Sequence, residues 1–373
     1  MNSAGLYIHI PFCRKACHYC DFHFSTQLEN RELFVQALIK EIELRSPFLP
    51  LQTVYFGGGT PSVLSEKQLK NIFLHLKQNF NILKDAEISF EVNPEDVNSE
   101  YLELLQNLGV NRLSIGVQSF RNSDLEKMNR SHQVFQSIEA VKLTKEAGFS
   151  NITVDLMYGL PDLSKTVWQD NLAQLFDLNI SHFSAYCLTI EEKTVWKHWI
   201  ATQKMQIPKE EMILEHWEFL LAESKQQGFE QYEISNFAKN QQYSKHNLSY
   251  WQGKSYLGLG PSAHSFDQNI RRWNVANNQK YIKNLFENLS FFEEEILSFE
   301  TQINERILTH LRTMWGINLE QFKVDFGVSV LEKLQKKVKI WQDQRQVEVK
   351  NGYLMLNDEG KLFADAIAAD LFF

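Results

Sequence analysis

Short apolar runs alternate with longer stretches of helical period along the first half of the chain. The runs are rich in β-branched and aromatic residues, as expected of buried strands, and each is followed by a stretch long enough for a helix. Ser65 and Gln68 form a capping-box pattern at one helix start, and Gly109 and Gly148 stand where helices end. The predicted strands are LYIHI, TVYF, EISFEV, RLSIGV, ITVDLMY and HFSAYCL.

Six strand-then-helix units in series predict an α/β fold built on a parallel sheet. Periodicity fits a doubly wound sheet and a sheet curled into part of a barrel equally well. In both arrangements ligands collect at the carboxyl ends of the strands. Glu91, Gln118 and Asp155 close the third, fourth and fifth predicted strands, so we select them as candidate ligand groups. Asp155 follows apolar residues, where an unpaired carboxylate is costly to bury.

The alternation of strands and helices stops after about residue 295. Helical periods at INERILTHLRTM and VLEKLQKKVKIW then precede a predicted hairpin, VEVKNGYLML, in which Asn351-Gly352 is a two-residue turn signal. Helices followed by a β-ribbon predict a small winged-helix-like domain. We therefore divide the chain into a core domain, residues 1–290, and a C-terminal domain, residues 291–373.

Composition and charge exclude several classes of protein. Hydrophobic residues make up 43% and charged residues 23%, as in an ordinary globular protein. The formal charge is −8 and no dense basic tract offsets it, so we expect no binding to nucleic acid. No apolar run approaches the ~18 residues of a membrane span, and the N-terminus lacks a signal-peptide pattern. The expectation is a soluble, cytoplasmic protein without a transmembrane segment.

Three cysteines, Cys13, Cys17 and Cys20, lie within eight positions, and the remaining one, Cys187, is far downstream. A disulfide framework does not fit, because three thiols leave one over and a chain of this length needs no covalent staples. Structural zinc stays open as an alternative, although it needs four ligands and only His18 adds a ligand type inside the triplet. An iron–sulfur cubane held by three thiolates leaves one iron open to a small chelating molecule.

The spacing Cys13-x3-Cys17-x2-Cys20, with Tyr19 before the last cysteine, resembles the cluster motif of radical S-adenosylmethionine (SAM) enzymes. The resemblance implies a [4Fe–4S] cluster bound by these cysteines in a loop at residues 11–24. It implies that SAM chelates the fourth iron and is cleaved by electron transfer to a 5'-deoxyadenosyl radical. It also implies a partial (β/α)6-type barrel, the second of the two arrangements that periodicity allows.

The same resemblance implies a set of SAM-binding residues. It matches the glycine-rich segment FGGGTPS to the methionyl amino group, strand-end polar residues to the ribose and an arginine to the carboxylate. Each residue also has an ordinary interpretation, as a turn glycine, a strand-end polar group, a helix-end cation or a core tyrosine. The predicted SAM residues are Tyr7, Gly58, Gly59, Thr60, Glu91, Gln118, Arg130 and Asp155.

Four motifs, YIHIPFC, GGGTPS, GVQS and DLMYGLP, are together similar to the group that contains oxygen-independent coproporphyrinogen III oxidase and its haem-chaperone relatives. This resemblance covers nearly the whole chain, and its C-terminal part is a HemN-type domain. It implies either oxidative decarboxylation of porphyrinogen propionates to vinyl groups or the carriage of haem to client proteins such as respiratory cytochromes. A radical SAM enzyme acting on another substrate is a third hypothesis.

Two departures from the oxidase pattern favour the haem chaperone. The oxidases have Gly-Cys after the third cysteine, where this chain has Asp21-Phe22, and the chaperone-like proteins share this ending. The oxidases also carry a longer segment before the cluster motif, whereas twelve residues precede Cys13 here.

A haem carrier needs an axial ligand, commonly a histidine. His246 lies in KHNLSYW, which resembles the H-N-x-x-Y-W stretch of the chaperones, and Tyr250 and Trp251 are candidates to flank the porphyrin. A tight turn beside the barrel explains these residues equally well. The predicted partners are haem or a porphyrinogen, client haem proteins, a reductant such as flavodoxin or ferredoxin, and peripheral contact with a membrane.

Overall fold

A twelve-stranded sheet dominates the computed structural model, which describes residues 3–373. Six further strands follow the six that the sequence predicts, so the sheet is wider than the barrel segment alone. The strands are β1 Ala4–Ile10, β2 Leu51–Gly58, β3 Ile82–Val92, β4 Arg112–Gln118, β5 Ile152–Tyr158, β6 His182–Cys187, β7 Glu230–Glu233, β8 Asn236–Ala238, β9 Tyr256–Leu259, β10 His264–Asp267, β11 Ile270–Asn274 and β12 Phe292–Ile296.

The strands β1 to β6 pair with one another in chain order and in parallel. At least one helix lies in each connection between them, as a right-handed crossover between parallel neighbours requires. Side chains from several of these strands, including Tyr55, Ser89, Ser114 and Asp155, line a single interior cavity of about 200 Å³. The sheet is therefore curved around its interior, and the predicted α/β class is confirmed.

Ten α-helices accompany the large sheet within residues 3–373, and the capping box predicted at Ser65 and Gln68 is present. The backbone N–H of Gln68 donates to Ser65 Oγ at 3.3 Å, and the Ser65 N–H donates to the Gln68 side chain at 3.0 Å. The helices are α1 Arg31–Arg45, α2 Glu66–Asn79, α3 Ser99–Leu108, α4 Asn122–Lys127, α5 Val134–Glu146, α6 Lys165–Asp177, α7 Val195–Ala201, α8 Glu210–Gln226, α9 Lys245–Trp251 and α10 Asn278–Phe286.

The strands β9 to β12 extend the sheet beyond β1. Strand β9 pairs with β1 in parallel, and β10, β11 and β12 follow as antiparallel neighbours. Glu41 of α1 is fully buried against this extension, where it accepts hydrogen bonds from the Gly260 N–H at 2.8 Å and Asn274 Nδ2 at 2.7 Å. These contacts fix the extension against the barrel segment.

The C-terminal part has its own hydrophobic core and a three-stranded sheet. Asn351 and Gly352 have φ values of 52° and 82°, so both adopt the left-handed conformation that a tight hairpin turn requires, and the predicted hairpin is confirmed. The elements are α11 Phe299–Leu311, β13 Ile317–Asn318, α12 Leu319–Phe326, α13 Val328–Asp343, β14 Val347–Lys350, β15 Tyr353–Leu356, α14 Asp358–Lys361 and α15 Ala364–Leu371.

The large sheet continues past the predicted domain boundary at 290/291. Strand β12 pairs with β11 in the large sheet, so the architecture changes only after Ile296. The strand was missed because its sequence, FEEEI, is mostly charged and exposed, as befits a sheet edge. Arg271 of β11 forms an ion pair with Glu305 of α11, which ties the C-terminal part to the sheet.

No helix within residues 3–373 has the length and apolar character needed to cross a membrane.

Candidate functional site

The loop that carries the three cysteines follows β1 and is closed at its base by backbone hydrogen bonds. The Cys13 N–H donates to the Ser25 carbonyl at 3.0 Å, and the Ser25 N–H donates to the Pro11 carbonyl at 2.9 Å. The glycine-rich segment after β2 lies directly against this loop, because the Thr60 N–H donates to the Phe12 carbonyl at 2.7 Å. The cysteine loop therefore sits at the carboxyl ends of the parallel strands, where ligands bind in such folds.

The turn after α4 holds the other side of the cysteine loop. The His18 N–H donates to the Met128 carbonyl at 3.0 Å, and Asn129 Nδ2 donates to the Ala16 carbonyl at 2.8 Å. These bonds place the segment that ends at Arg130 beside the cysteines.

A cavity of about 430 Å³ lies under the loop, and we call it the cofactor cavity. Tyr7 does not line it: its hydroxyl lies 3.0 Å from His9 Nδ1, and its ring faces the barrel interior and a neighbouring groove. The structure brings the other predicted SAM residues together with the cysteines around this cavity: Cys13, Cys17, Cys20, Gly58, Gly59, Thr60, Glu91, Gln118, Arg130 and Asp155.

The side chains of Cys13, Cys17 and Cys20 line one cavity, and three thiols are the donor set that an iron–sulfur cluster with one open iron requires. Burial raises the pKa of Cys13 to about 11 and that of Cys20 to about 12, so both are neutral thiols until a metal displaces the proton. Within residues 3–373 no three His, Cys, Asp or Glu side chains surround a position for one ion. Thiolates of a cubane each bind a different iron, so they stand farther apart than the ligands of a single zinc.

Arg130 crosses the floor of the cofactor cavity. Its Nη2 donates to Asn93 Oδ1 at 2.7 Å and to the Gly116 carbonyl at 2.8 Å, and its Nη1 lies 3.6 Å from Cys17 Sγ. Its Nε is buried without a hydrogen-bond partner. Asn93 was not selected from the sequence, although it follows Glu91 by two residues and alternation puts both on the same side of the chain. A buried cation with an unused donor fits an anionic ligand.

The polar groups at the strand ends converge on the same cavity. Glu91 accepts a hydrogen bond from the Tyr55 hydroxyl at 2.7 Å, and Asp155 accepts one from Ser114 Oγ at 2.9 Å. Burial raises the pKa of both carboxyl groups, and that of Glu91 reaches about 7. Gln118 has a φ of 70°, which places its backbone in the left-handed region. Residues other than glycine rarely adopt this backbone conformation, and those that do are concentrated at functional sites.

The glycines beside the loop are required by close packing of the backbone. Gly58 has a φ of 108°, and a Cβ at this position would lie 2.5 Å from His9 Nδ1. A Cβ on Gly59 would lie 2.6 Å from the Phe12 carbonyl oxygen. Both glycines therefore have a structural reason for their identity, whether or not they also contact SAM.

Glu91→Gln is expected to stabilise the ligand-free protein more at about pH 8 than at about pH 5. With its pKa raised from 4.5 to about 7, folded Glu91 keeps a proton that the unfolded chain releases. The stability that depends on this proton is fully present below about pH 4.5 and is lost as the pH rises through about 7. Urea unfolding at both pH values tests this, with exposed Glu43→Gln as the control. The same stability difference at both pH values would contradict the shift.

His246 lies inside the molecule, where it is only 2% exposed. Its Nδ1 is 2.7 Å from Thr53 Oγ1, its Nε2 is 2.8 Å from the Tyr250 hydroxyl, and burial lowers its pKa to about 3. Both ring nitrogens therefore already lie within hydrogen-bond distance of a hydroxyl, and binding of iron by His246 would require one of these contacts to open. The sequence motif contains Tyr250 but not Thr53, which the fold brings to His246 from β2.

A second, larger space opens beside the cofactor cavity, and we call it the groove. Its volume is about 800 Å³, and it runs between the β9–β11 part of the sheet, the cysteine loop and α11. Phe22, Gly58 and Glu91 line both spaces, so the two adjoin. Phe22 is 69% exposed, which is unusual for a phenylalanine and leaves its ring free to contact a ligand.

A parallel sheet with a three-cysteine loop at the carboxyl end of its first strand defines the class as a radical SAM protein. The family model "Radical SAM superfamily" matches residues 7–172, and "HemN C-terminal domain" matches residues 297–363. The chain belongs to the radical SAM family, in the coproporphyrinogen III oxidase-like group that includes the HemW-type haem chaperones.

Similar proteins extend over the full length of the chain. The protein named "Heme chaperone HemW" from Bacillus subtilis (strain 168) is 34% identical over 98% of both chains. The protein of the same name from Lactococcus lactis subsp. lactis (strain IL1403) is 33% identical over 97% of this chain and 92% of its own. The solved structure of coproporphyrinogen III oxidase (HemN) from Escherichia coli matches with a TM-score of 0.87, covering 100% of this chain and 90% of its own. Its identity is 22%, so this likeness supports the fold alone.

Proposed function

We propose that the protein is a haem chaperone that binds haem, holds a [4Fe–4S] cluster with SAM, and delivers haem to client respiratory proteins. The observation that carries this proposal is the adjacency of the cofactor cavity to a groove of about 800 Å³ with aromatic and imidazole side chains. The full-length relatives named as haem chaperones support it. The four free cysteines fit a reducing compartment such as the cytoplasm.

In this proposal the loop cysteines hold the cluster, and the remaining lining of the cofactor cavity holds SAM. The cluster and SAM supply one-electron chemistry when bound, with a flavodoxin or ferredoxin as the reductant. Arg130, which already contacts Cys17 Sγ, faces the carboxylate of SAM. Glu91 and Asp155 supply acceptors for the ribose hydroxyls.

The residues after the third cysteine support the chaperone over the oxidase. Asp21-Phe22 puts an exposed aromatic ring, and no further thiol, at the boundary between the cofactor cavity and the groove. An apolar ring there suits contact with the flat face of a tetrapyrrole.

An assay of products and binding, side by side, tests the proposed function. Anaerobically reconstituted protein with SAM and reductant is incubated with coproporphyrinogen III or with haem. We expect haem to stay with the protein on gel filtration and coproporphyrinogen III to remain undecarboxylated. Vinyl products would support the oxidase. No haem binding and no vinyl product would leave a radical SAM protein that acts on another substrate.

A further inference from the structure

A series of hydrogen bonds joins two of the loop cysteines across the cofactor cavity, and we call it the Asn93 network. Thr60 Oγ1 lies 3.5 Å from Cys13 Sγ and 3.4 Å from Asn93 Nδ2. Asn93 Oδ1 accepts a hydrogen bond from Arg130 Nη2 at 2.7 Å, and Arg130 Nη1 lies 3.6 Å from Cys17 Sγ. Asn93 is therefore the middle member of a network that begins at one thiol and ends at another.

The chemistry of the side chains fixes the direction of each bond in the Asn93 network. A guanidinium has only donors, so the Asn93 atom that faces Arg130 is the amide oxygen. The amide nitrogen then faces Thr60 and donates to its hydroxyl oxygen. Because the Thr60 hydrogen cannot point at a second donor, it is directed to Cys13 Sγ. Both ends of the network therefore donate to sulfur.

The backbone holds Asn93 and Thr60 in place. Asn93 follows β3 and precedes Pro94, which restricts it to an extended conformation, with φ −86° and ψ 148°. The Asp96 N–H donates to the Asn93 carbonyl at 3.0 Å. Thr60 is only 5% exposed and also precedes a proline. The amide and the hydroxyl are therefore already oriented in the protein without its cofactors.

Gly116 of β4 makes room for the guanidinium of Arg130. Its carbonyl accepts a hydrogen bond from Arg130 Nη2 at 2.8 Å, and a Cβ on Gly116 would lie only 3.3 Å from the same nitrogen. Arg130 Nη2 thus has two acceptors, the Asn93 amide oxygen and the Gly116 carbonyl, while Nε is buried without a partner. The guanidinium is held on one side and keeps an unused donor for a ligand.

We propose that Asn93 is a positioning residue for the cluster and for SAM: its Oδ1 orients Arg130, and its Nδ2 orients the Thr60 hydroxyl toward Cys13. This inference rests on the proposed function, because it requires a cluster on the loop cysteines and SAM in the cofactor cavity. In this role Asn93 acts through its two neighbours and not as a ligand.

The Asn93 network has a consequence for the reduction potential of the cluster. Hydrogen bonds to the sulfur ligands are one of the factors that set the potential of an iron–sulfur cluster. A donor at a thiolate stabilises the extra negative charge of the reduced cluster, so each such bond raises the potential. Loss of the Thr60 hydrogen bond to Cys13 should therefore make the potential more negative.

Asn93→Leu removes the amide at nearly constant side-chain size and tests both functions of Asn93. We expect the reconstituted variant to bind SAM about threefold to tenfold more weakly, the range of one ordinary hydrogen bond. We also expect the potential of its SAM-free cluster to be more negative than that of the wild type. Calorimetry and an anaerobic redox titration measure the two effects, and iron and sulfide content confirms the cluster. Asn71→Leu on α2, outside the cofactor cavity, is the control and should match the wild type.

Thr60→Val tests the cysteine end of the Asn93 network separately. The substitution keeps the shape of the side chain and removes the hydroxyl, so the potential should become more negative, as in Asn93→Leu. The hydrogen bond between Asn93 and Arg130 stays, so SAM affinity should fall less than in Asn93→Leu. Thr166→Val, an exposed threonine on α6, is the control and should leave the potential unchanged.

The outcomes separate this inference from the function on which it rests. If the wild type holds no cluster or binds no SAM, the proposed function itself fails. If the wild type binds both and Asn93→Leu keeps the wild-type potential and SAM affinity, the positioning role is overturned. If Asn93→Leu does not retain a cluster, Thr60→Val decides: a more negative potential supports the network, and an unchanged potential overturns it.

Discussion

Replacing Cys13, Cys17 or Cys20 by serine is expected to abolish the [4Fe–4S] absorbance of the reconstituted protein. All three thiols lie on one loop, and a serine hydroxyl is a poor substitute for a thiolate that holds one iron of the cubane. Loss of one ligand leaves two thiolates and two open irons, which is too few to retain the cluster. Visible absorption and the iron and sulfide content per chain measure the effect.

Cys187 provides the matched control for these variants. It is the fourth cysteine and lines the same cofactor cavity, but it lies at the end of β6 and outside the loop. Cys187→Ser should therefore keep the full iron and sulfide content. A full cluster in any one of the three loop variants would overturn the ligand assignment.

Arg130→Met is expected to lower the affinity for SAM by about tenfold to a hundredfold, with cluster content retained. The guanidinium is buried beside Cys17, and a hydrogen bond to a charged group contributes about 1.5–3 kcal/mol. Since each factor of ten in affinity corresponds to about 1.4 kcal/mol, one lost charge-assisted contact gives this range. Calorimetry with SAM on the reconstituted variant measures it.

Arg272→Met is the control for the arginine substitution. Arg272 pairs with Glu294 at the outer part of the sheet, where an ion pair contributes about 1 kcal/mol or less to stability. Its loss should leave SAM affinity unchanged. Normal SAM affinity in Arg130→Met would mean that the carboxylate of SAM binds elsewhere in the cavity.

The barrel strands could be predicted from the sequence because most of their residues are buried. Strands β1, β4 and β5 are buried over nearly their whole length, β3 is buried in its second half and β6 in its first four residues, and several of the helices between them carry standard capping signals. The six strands outside this segment could not be predicted in the same way. They are short, and three of the five residues of β12 are glutamates, so pairing with neighbours rather than local composition makes them strands.

In the candidate site, too, residues could be predicted where the local sequence determines their position and could not be predicted where contacts between distant segments determine it. Glu91, Gln118 and Asp155 could be selected because strand ends meet at one edge of a parallel sheet. His246 was selected from a motif, yet its burial depends on distant Thr53. The groove was not predicted, because only the pairing of β9, β10 and β11 forms its floor.

The co-elution of haem with the cluster-bearing, SAM-loaded chain on anaerobic gel filtration tests the central claim most directly. The cofactor cavity and the groove are adjoining but distinct spaces, so we expect haem, cluster and SAM to stay on the chain together, with haem in equal amount to protein. Haem that elutes free of the chain, or that displaces SAM from it, would contradict the account.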